Sequence, residues 1–151
     1  AVSSYPATSF GAFGPIIARD EILPAISAGA VLIDARAPER FEGRIEPIDP
    51  RAGHIPGARN LPFSGNVSPD ASGVARFLPP EVLRERFAAA GATNDAPVIL
   101  SCGSGVTACH NALAMHLAGF TAPGVYVGSW SDWSTQSHLP VETGPDAGPN
   151  G

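Results

Sequence analysis

The sequence Cys102-Gly103-Ser104-Gly105-Val106-Thr107 follows the apolar run Pro97-Val98-Ile99-Leu100-Ser101 and opens a helix-like stretch from Val106. The order strand, glycine-rich turn, helix surrounds a sulfur with backbone N–H donors and the positive end of a helix dipole. Both favour an anionic thiolate or persulfide, and the thiolate is the nucleophilic form of cysteine. The plainer alternative is a buried small hydrophobe, the commoner fate of a lone cysteine in an α/β protein. Gly103 and Gly105 weigh against it, because glycine lets N–H groups turn toward the sulfur without Cβ obstruction. Cys109 lies inside the helix without glycines beside it and reads as a packing residue. Cys102, Cys109 and His110 lack the short paired spacing of a zinc site, so no metal and no cofactor is expected.

The charged residues suggest a second component. All nine basic residues are arginine, and five of them, Arg36, Arg40, Arg44, Arg51 and Arg59, fall within 24 residues. A local anion-binding patch is one reading of that density; solvated loop arginines account for two or three of the five on the other. The chain as a whole is acidic, with net charge −5 and pI near 5.2, which disfavours nucleic acid or an anionic membrane as the main partner. With only two cysteines there is no disulfide framework. On one helix, Cys102 and Cys109 would lie about 10 Å apart, beyond bridging distance. No apolar run is long enough to span a bilayer and no signal peptide is visible. A reducing, cytoplasmic setting is the expectation, and the absence of an initiator Met suggests a processed protein or a piece of a longer one.

The 151 residues, 44% hydrophobic and 15% charged, fit one α/β domain. Residues 1–18 read as linker or tail, 19–142 as the domain and 143–151 as a flexible tail, from the Gly, Pro and Ser content of the ends. Within the domain the pattern predicts a short helix over 19–28, interrupted by Pro24, and a strand over 30–33 ending at Asp34. A loop-dominated stretch over 35–53 contains one helical turn near Pro38. A short strand over 58–61 precedes polar turns through Gly73. A helix from Pro80 to Ala90 is bracketed by early proline and late glycine. Strand 98–100, helix 106–118, strand 125–127 and a final helix over 129–135 follow. Apolar strands alternating with helices predict a mostly parallel sheet covered on both faces, with ligands at the carboxyl ends of the strands. Asp34 and Cys102 each sit just past such an end.

The cysteine loop, together with Leu32-Ile33-Asp34-Ala35-Arg36, Gly53-His54-Ile55-Pro56-Gly57-Ala58 and Gly128-Ser129-Trp130-Ser131-Asp132-Trp133, resembles the rhodanese family of sulfurtransferases. The resemblance covers about residues 20–142. It is strongest to the catalytic C-terminal half of the two-domain thiosulfate and 3-mercaptopyruvate enzymes. It implies a rhodanese-like fold with about five strands in the central sheet and helices on both faces. It also implies a ping-pong reaction in which Cys102 takes a sulfane sulfur from a small-molecule donor and passes it to cyanide, a thiol or thioredoxin. Gly103, Ser104, Gly105, Val106 and Thr107 would stabilise the anionic sulfur, and Arg40 and Arg51 would bind the donor's anionic group. Asp34, Arg36 and His54 match motifs that hold loops. The neutral Gly103 and Ser104, where thiosulfate-preferring members carry basic residues, point to 3-mercaptopyruvate. The main rival within the family is a non-catalytic or poorly active rhodanese module that needs an N-terminal domain missing from this chain, or a partner. Cysteine phosphatases of related fold require an arginine six positions after the cysteine, where this chain has Ala108.

Overall fold

The computed structural model describes residues 14–146. Its centre is a sheet of four strands in which every pairing is parallel. These strands are β1 (Val31–Asp34), β2 (Arg59–Asn60), β5 (Val98–Ser101) and β6 (Gly124–Val125), in the order β2-β1-β5-β6. The remaining strands, β3 (Val67–Pro69) and β4 (Ala75–Phe77), form a separate antiparallel hairpin where sequence alone indicates polar turns. The helices are α1 (Ile22–Ser27), α2 (Pro38–Phe41), α3 (Pro80–Ala89), α4 (Val106–Leu117) and α5 (Ser129–Trp133).

Residues alternate between faces along each strand, and the two cores show it. Ile33 and Leu100 join Leu83, Phe87 and Met115, from α3 and α4, in one cluster. Leu32 and Ile99 point the other way and pack with Ile22, Trp130 and Trp133, from α1 and α5, in the second. Continuous burial of β5 follows from this double covering.

Four departures from the sequence-based expectations have local causes. The sheet has four strands rather than about five because the fifth position, beside β6, is filled by a single bridge from Ile16 to Val125. That bridge draws residues 15–17, assigned to a tail by composition, onto the sheet edge through Ile17 N–H to Val125 O and Val125 N–H to Pro15 O, both 2.9 Å. At the other end, Gly144 N–H donates to Glu42 O (2.9 Å) and Asn60 N–H to the Asp146 carboxylate (2.7 Å), so residues 143–146 also pack on the domain. The parts of both expected tails at 1–13 and 147–151 lie outside the described residues. Pro24 does not interrupt α1; it occupies the first turn, where a missing N–H costs no helical hydrogen bond.

Candidate active site

β1 and β5 are adjacent and parallel, and Asp34 is in register with Ser101. The chain therefore leaves both strands at the same level, and the segments after them converge. Between them lies a cleft of about 320 Å³ lined by Arg36, Ala37, Arg40, Phe63 and the cysteine loop from Cys102 to Thr107 except Gly105. Cys102 is at its floor, only 2% exposed.

The loop's orientation is set from behind. Trp130 N–H donates to Cys102 O (3.0 Å) and Ser131 N–H to Gly103 O (2.8 Å), so the first turn of α5 takes both carbonyls. In a trans peptide the N–H points opposite to the C=O, which directs the Gly103 and Ser104 N–H groups away from α5. Val106 and Thr107 are the first residues of α4, whose N–H groups have no acceptor within the helix. None of the five N–H groups from Gly103 to Thr107 donates to a described backbone acceptor outside a helix. A run of N–H donors without an acceptor among the described residues, in the loop that follows a cysteine, is the kind of backbone that can cradle an anion. Gly105 is required for it: its φ is +83°, and a Cβ there would lie 2.7 Å from Val127 O. Gly103 is under no such constraint, since a Cβ would meet only Arg40 Nη1 at 3.5 Å.

Ser129 is a component that sequence reading missed. It is fully buried, with φ of +52°, and its Oγ accepts from Cys102 N–H (3.0 Å) and donates to Tyr126 O (2.9 Å), 4.0 Å from Cys102 Sγ. A left-handed serine costs about 1–2 kcal/mol relative to the right-handed form. The two hydrogen bonds hold it there. No propensity in Gly128-Ser129 announces this; the one hint is a glycine-serine pair just past a strand end.

The five clustered arginines divide by role. Arg36 is buried, ion-paired with Asp34 (2.7 Å), hydrogen-bonded to Gly53 O (2.8 Å) and stacked over Trp130 at 4.8 Å. Arg40 faces the cleft, but its Nη2 is bound to Glu46 (2.7 Å) and Asp49 (3.0 Å). Arg44 is an exposed partner of Glu42, and Arg59 donates to Ala90 O. Arg51, expected to bind the donor's anionic group, is not among the residues lining this cleft. Its guanidinium donates to four carbonyls, Ser134 (2.8 Å), Leu139 (2.9 Å), Trp133 (3.0 Å) and Gln136 (2.8 Å), and so holds the chain after α5. Only Arg44 of the five is exposed.

Glu46 and Asp49 were also missed, although alternation of acids with Pro47 and Pro50 inside the arginine-rich segment was a visible signal. Both carboxylates are nearly buried, 4% and 6% exposed. Burial pushes the Glu46 carboxyl up, but Arg40 and the Asp49 and Ile48 N–H groups together hold it below its usual range. Asp34 and His54 serve structure: His54 stacks on Phe41 at 3.7 Å and bonds Phe41 O at 2.8 Å. Ala108, fully buried, brings no arginine to the position where a phosphatase loop needs one. Cys109 is exposed on α4. Among the described residues no group of three potential metal ligands forms.

The described fold is a parallel α/β sheet with one cysteine at a strand end, followed by a loop whose N–H groups have no described acceptor. The Rhodanese-like domain profile matches residues 19–136, and the chain belongs to the rhodanese family. It is 53% identical over 118 residues to a Pseudomonas aeruginosa protein named "Probable 3-mercaptopyruvate sulfurtransferase", covering 77% of this chain and 40% of that protein. It is 42% identical over 113 residues to the mitochondrial thiosulfate/3-mercaptopyruvate sulfurtransferase 1 of Arabidopsis thaliana, covering 74% of this chain and 29% of that protein. The solved 3-mercaptopyruvate sulfurtransferase of Leishmania major superposes with a TM-score of 0.69 at 33% identity, covering 93% of this chain and 40% of that one. The chain thus spans less than half the length of these relatives.

Proposed function

We propose that this domain is a sulfurtransferase whose Cys102 carries a sulfane sulfur as a persulfide. What supports the reading is a buried cysteine in the lining of the cleft, followed by five N–H groups, Gly103 to Thr107, that have no acceptor among the described residues. With 3-mercaptopyruvate, the Cys102 thiolate attacks the donor sulfur. The C–S bond breaks, its electron pair leaves as the enolate of pyruvate, and protonation at carbon yields pyruvate. With thiosulfate, the S–S bond breaks and sulfite leaves. A thiol or cyanide then attacks the outer sulfur and regenerates the thiolate. N–H donors fixed by α5 stabilise negative charge on either sulfur without reorganising.

The cleft's charge favours 3-mercaptopyruvate. Arg36 is committed to Asp34, and Arg40 already faces two carboxylates, so little positive charge remains for a dianion. The N–H collar suits one carboxylate or one anionic sulfur better than two charges. Longer relatives leave room for a further domain. Val106, 73% exposed at the mouth of the cleft beside Phe63, is the surface such a domain would cover.

The test is mass spectrometry of the intact chain after incubation with each donor. A gain of about 32 Da, one sulfur, mapped to the Cys102 peptide supports the reading. No gain with either donor, or a gain at Cys109, overturns it. Faster persulfide formation from thiosulfate than from 3-mercaptopyruvate overturns the donor preference alone.

A further inference from the structure

The most unusual cluster outside the cysteine loop is ionic and nearly buried. Two guanidiniums, Arg36 and Arg40, meet three carboxylates, Asp34, Glu46 and Asp49, for a net charge of −1. One oxygen of Glu46 is saturated, accepting from Arg40 Nη2 (2.7 Å), Ile48 N–H (3.1 Å) and Asp49 N–H (3.2 Å). Among the described residues its other oxygen has no hydrogen-bond partner and lies 3.6 Å from Arg36 Nη1, which also has none. Arg40 Nε is likewise buried with no partner among the described residues.

A pair of carboxylates this well held is more than is needed to keep one arginine in place. A single acid would fix and neutralise Arg40; the second leaves the group with one negative charge in excess beside the cleft. Both carboxylates converge on Nη2, leaving Nη1 beside Gly103 as the edge that faces the loop. The cleft therefore keeps the directional donor of an arginine while losing most of its field.

We propose that Glu46, assisted by Asp49, is a specificity-determining residue that discriminates donors by charge, admitting monoanions and disfavouring dianions at Cys102. This rests on the sulfurtransferase reading for its substrate but not for its physics. An anion held by Arg40 Nη1 would lie one guanidinium away from both carboxylates. Every additional negative charge on the donor meets their repulsion. Discrimination by an introduced repulsion is as effective as one by added attraction.

The variant is Glu46→Gln in the full chain, which retains an acceptor oxygen for Arg40 and the two N–H groups while removing the charge. Asp49→Asn serves as the second variant, so that misfolding of one, detected by its thermal midpoint, leaves the other to decide. Two readouts are taken. The first is the ratio of persulfide formation rates, thiosulfate over 3-mercaptopyruvate. One charge removed at roughly 7 Å from the donor's second charge raises this ratio by about tenfold at an intermediate effective dielectric. The second readout needs no sulfur transfer: the rate of alkylation at Cys102 by iodoacetate, an anion, over that by neutral iodoacetamide. This ratio rises severalfold in the variant at Cys102 and stays constant at the exposed Cys109. Raising the ionic strength shrinks the difference.

An unchanged iodoacetate-to-iodoacetamide ratio at Cys102 in both folded variants, or an equal rise at Cys109, overturns the assignment. If neither donor loads the unaltered protein with sulfur, the proposed function falls, and the alkylation ratio still decides the role of Glu46.

Discussion

Replacing Arg51 by alanine separates a structural arginine from a substrate arginine. Its guanidinium makes four hydrogen bonds to carbonyls between Trp133 and Leu139, at 2.8 to 3.0 Å. The Arg51 carbonyl also accepts from Trp130 Nε1 at 2.9 Å. A hydrogen bond to a charged donor contributes about 1.5–3 kcal/mol when desolvated. Arg51 is half-buried, and water can reach some of the carbonyls it leaves, so the four together are worth about 3 kcal/mol rather than their sum. For a domain of this size that lowers the thermal midpoint by roughly 6–12 °C. Arg51→Lys keeps the charge, but a single ammonium with three donors cannot span four carbonyls, and it recovers no more than about half of the loss. The assay is thermal unfolding by circular dichroism, paired with steady-state kinetics at a temperature where each variant is folded. The expected result is a large fall in midpoint with the Michaelis constant for 3-mercaptopyruvate within about twofold of the parent, since Arg51 touches nothing in the cleft. A midpoint within about 2 °C of the parent, with a tenfold rise in that Michaelis constant, would refute the reasoning and return Arg51 to the donor site.

Cys102→Ser is expected to abolish persulfide formation, while Cys109→Ser retains most of it; equal losses in mass-spectrometric loading would show that the roles are misassigned. Gly105→Ala is expected to cost more than about 2 kcal/mol in urea unfolding, from left-handed strain and the clash with Val127 O. Gly103→Ala, with only ordinary contact to Arg40, should stay within about 0.5 kcal/mol, and comparable losses for the two would contradict the geometry of the loop. Glu46, whose carboxyl is held below its usual value of 4.5, contributes stability that is present above that value and lost as pH falls through the lower native one. The stability gap between the parent and Glu46→Gln should therefore be constant near neutral pH and close in acid; a gap that widens on acidification has the wrong sign.

The sequence shows the strand-turn-helix around Cys102 because each part is written locally. An apolar run makes β5, Gly105 supplies the positive φ, and the 12 residues of α4 end at Leu117 before Gly119. The roles of the arginines are not written locally. Arg40 and Arg51 both fall in the same loop, and both are chemically fit to hold a carboxylate. What separates them is the destination of each guanidinium, to Glu46 and Asp49 in one case and to carbonyls more than 80 positions away in the other. Ser129 is illegible for a related reason. Its backbone strain is offset by partners 3 and 27 residues distant, and no local preference encodes them. The hairpin β3-β4 was hidden by its shortness and exposure, since three-residue strands with solvent on one side carry almost no alternation.

These long-range contacts join two features that are separate along the chain. The cysteine loop is oriented by the first N–H groups of α5, through Cys102 O and Gly103 O. That helix has only five residues, too few to stand alone. Its rigidity comes from elsewhere: Arg36 lies over the Trp130 ring, and Arg51 takes Trp130 Nε1–H on its carbonyl while its guanidinium holds the carbonyls from Trp133 to Leu139. Arg36 and Arg51 thus support α5, which takes the carbonyls of the cysteine loop, while Arg40 faces the cleft with its charge set by Glu46 and Asp49. Loosening α5 should therefore impair the thiolate cradle for every donor alike, whereas altering the charge around Arg40 should change the order of donors. Arg51→Ala and Glu46→Gln, measured with the same pair of donors, would distinguish these two routes to the same sulfur.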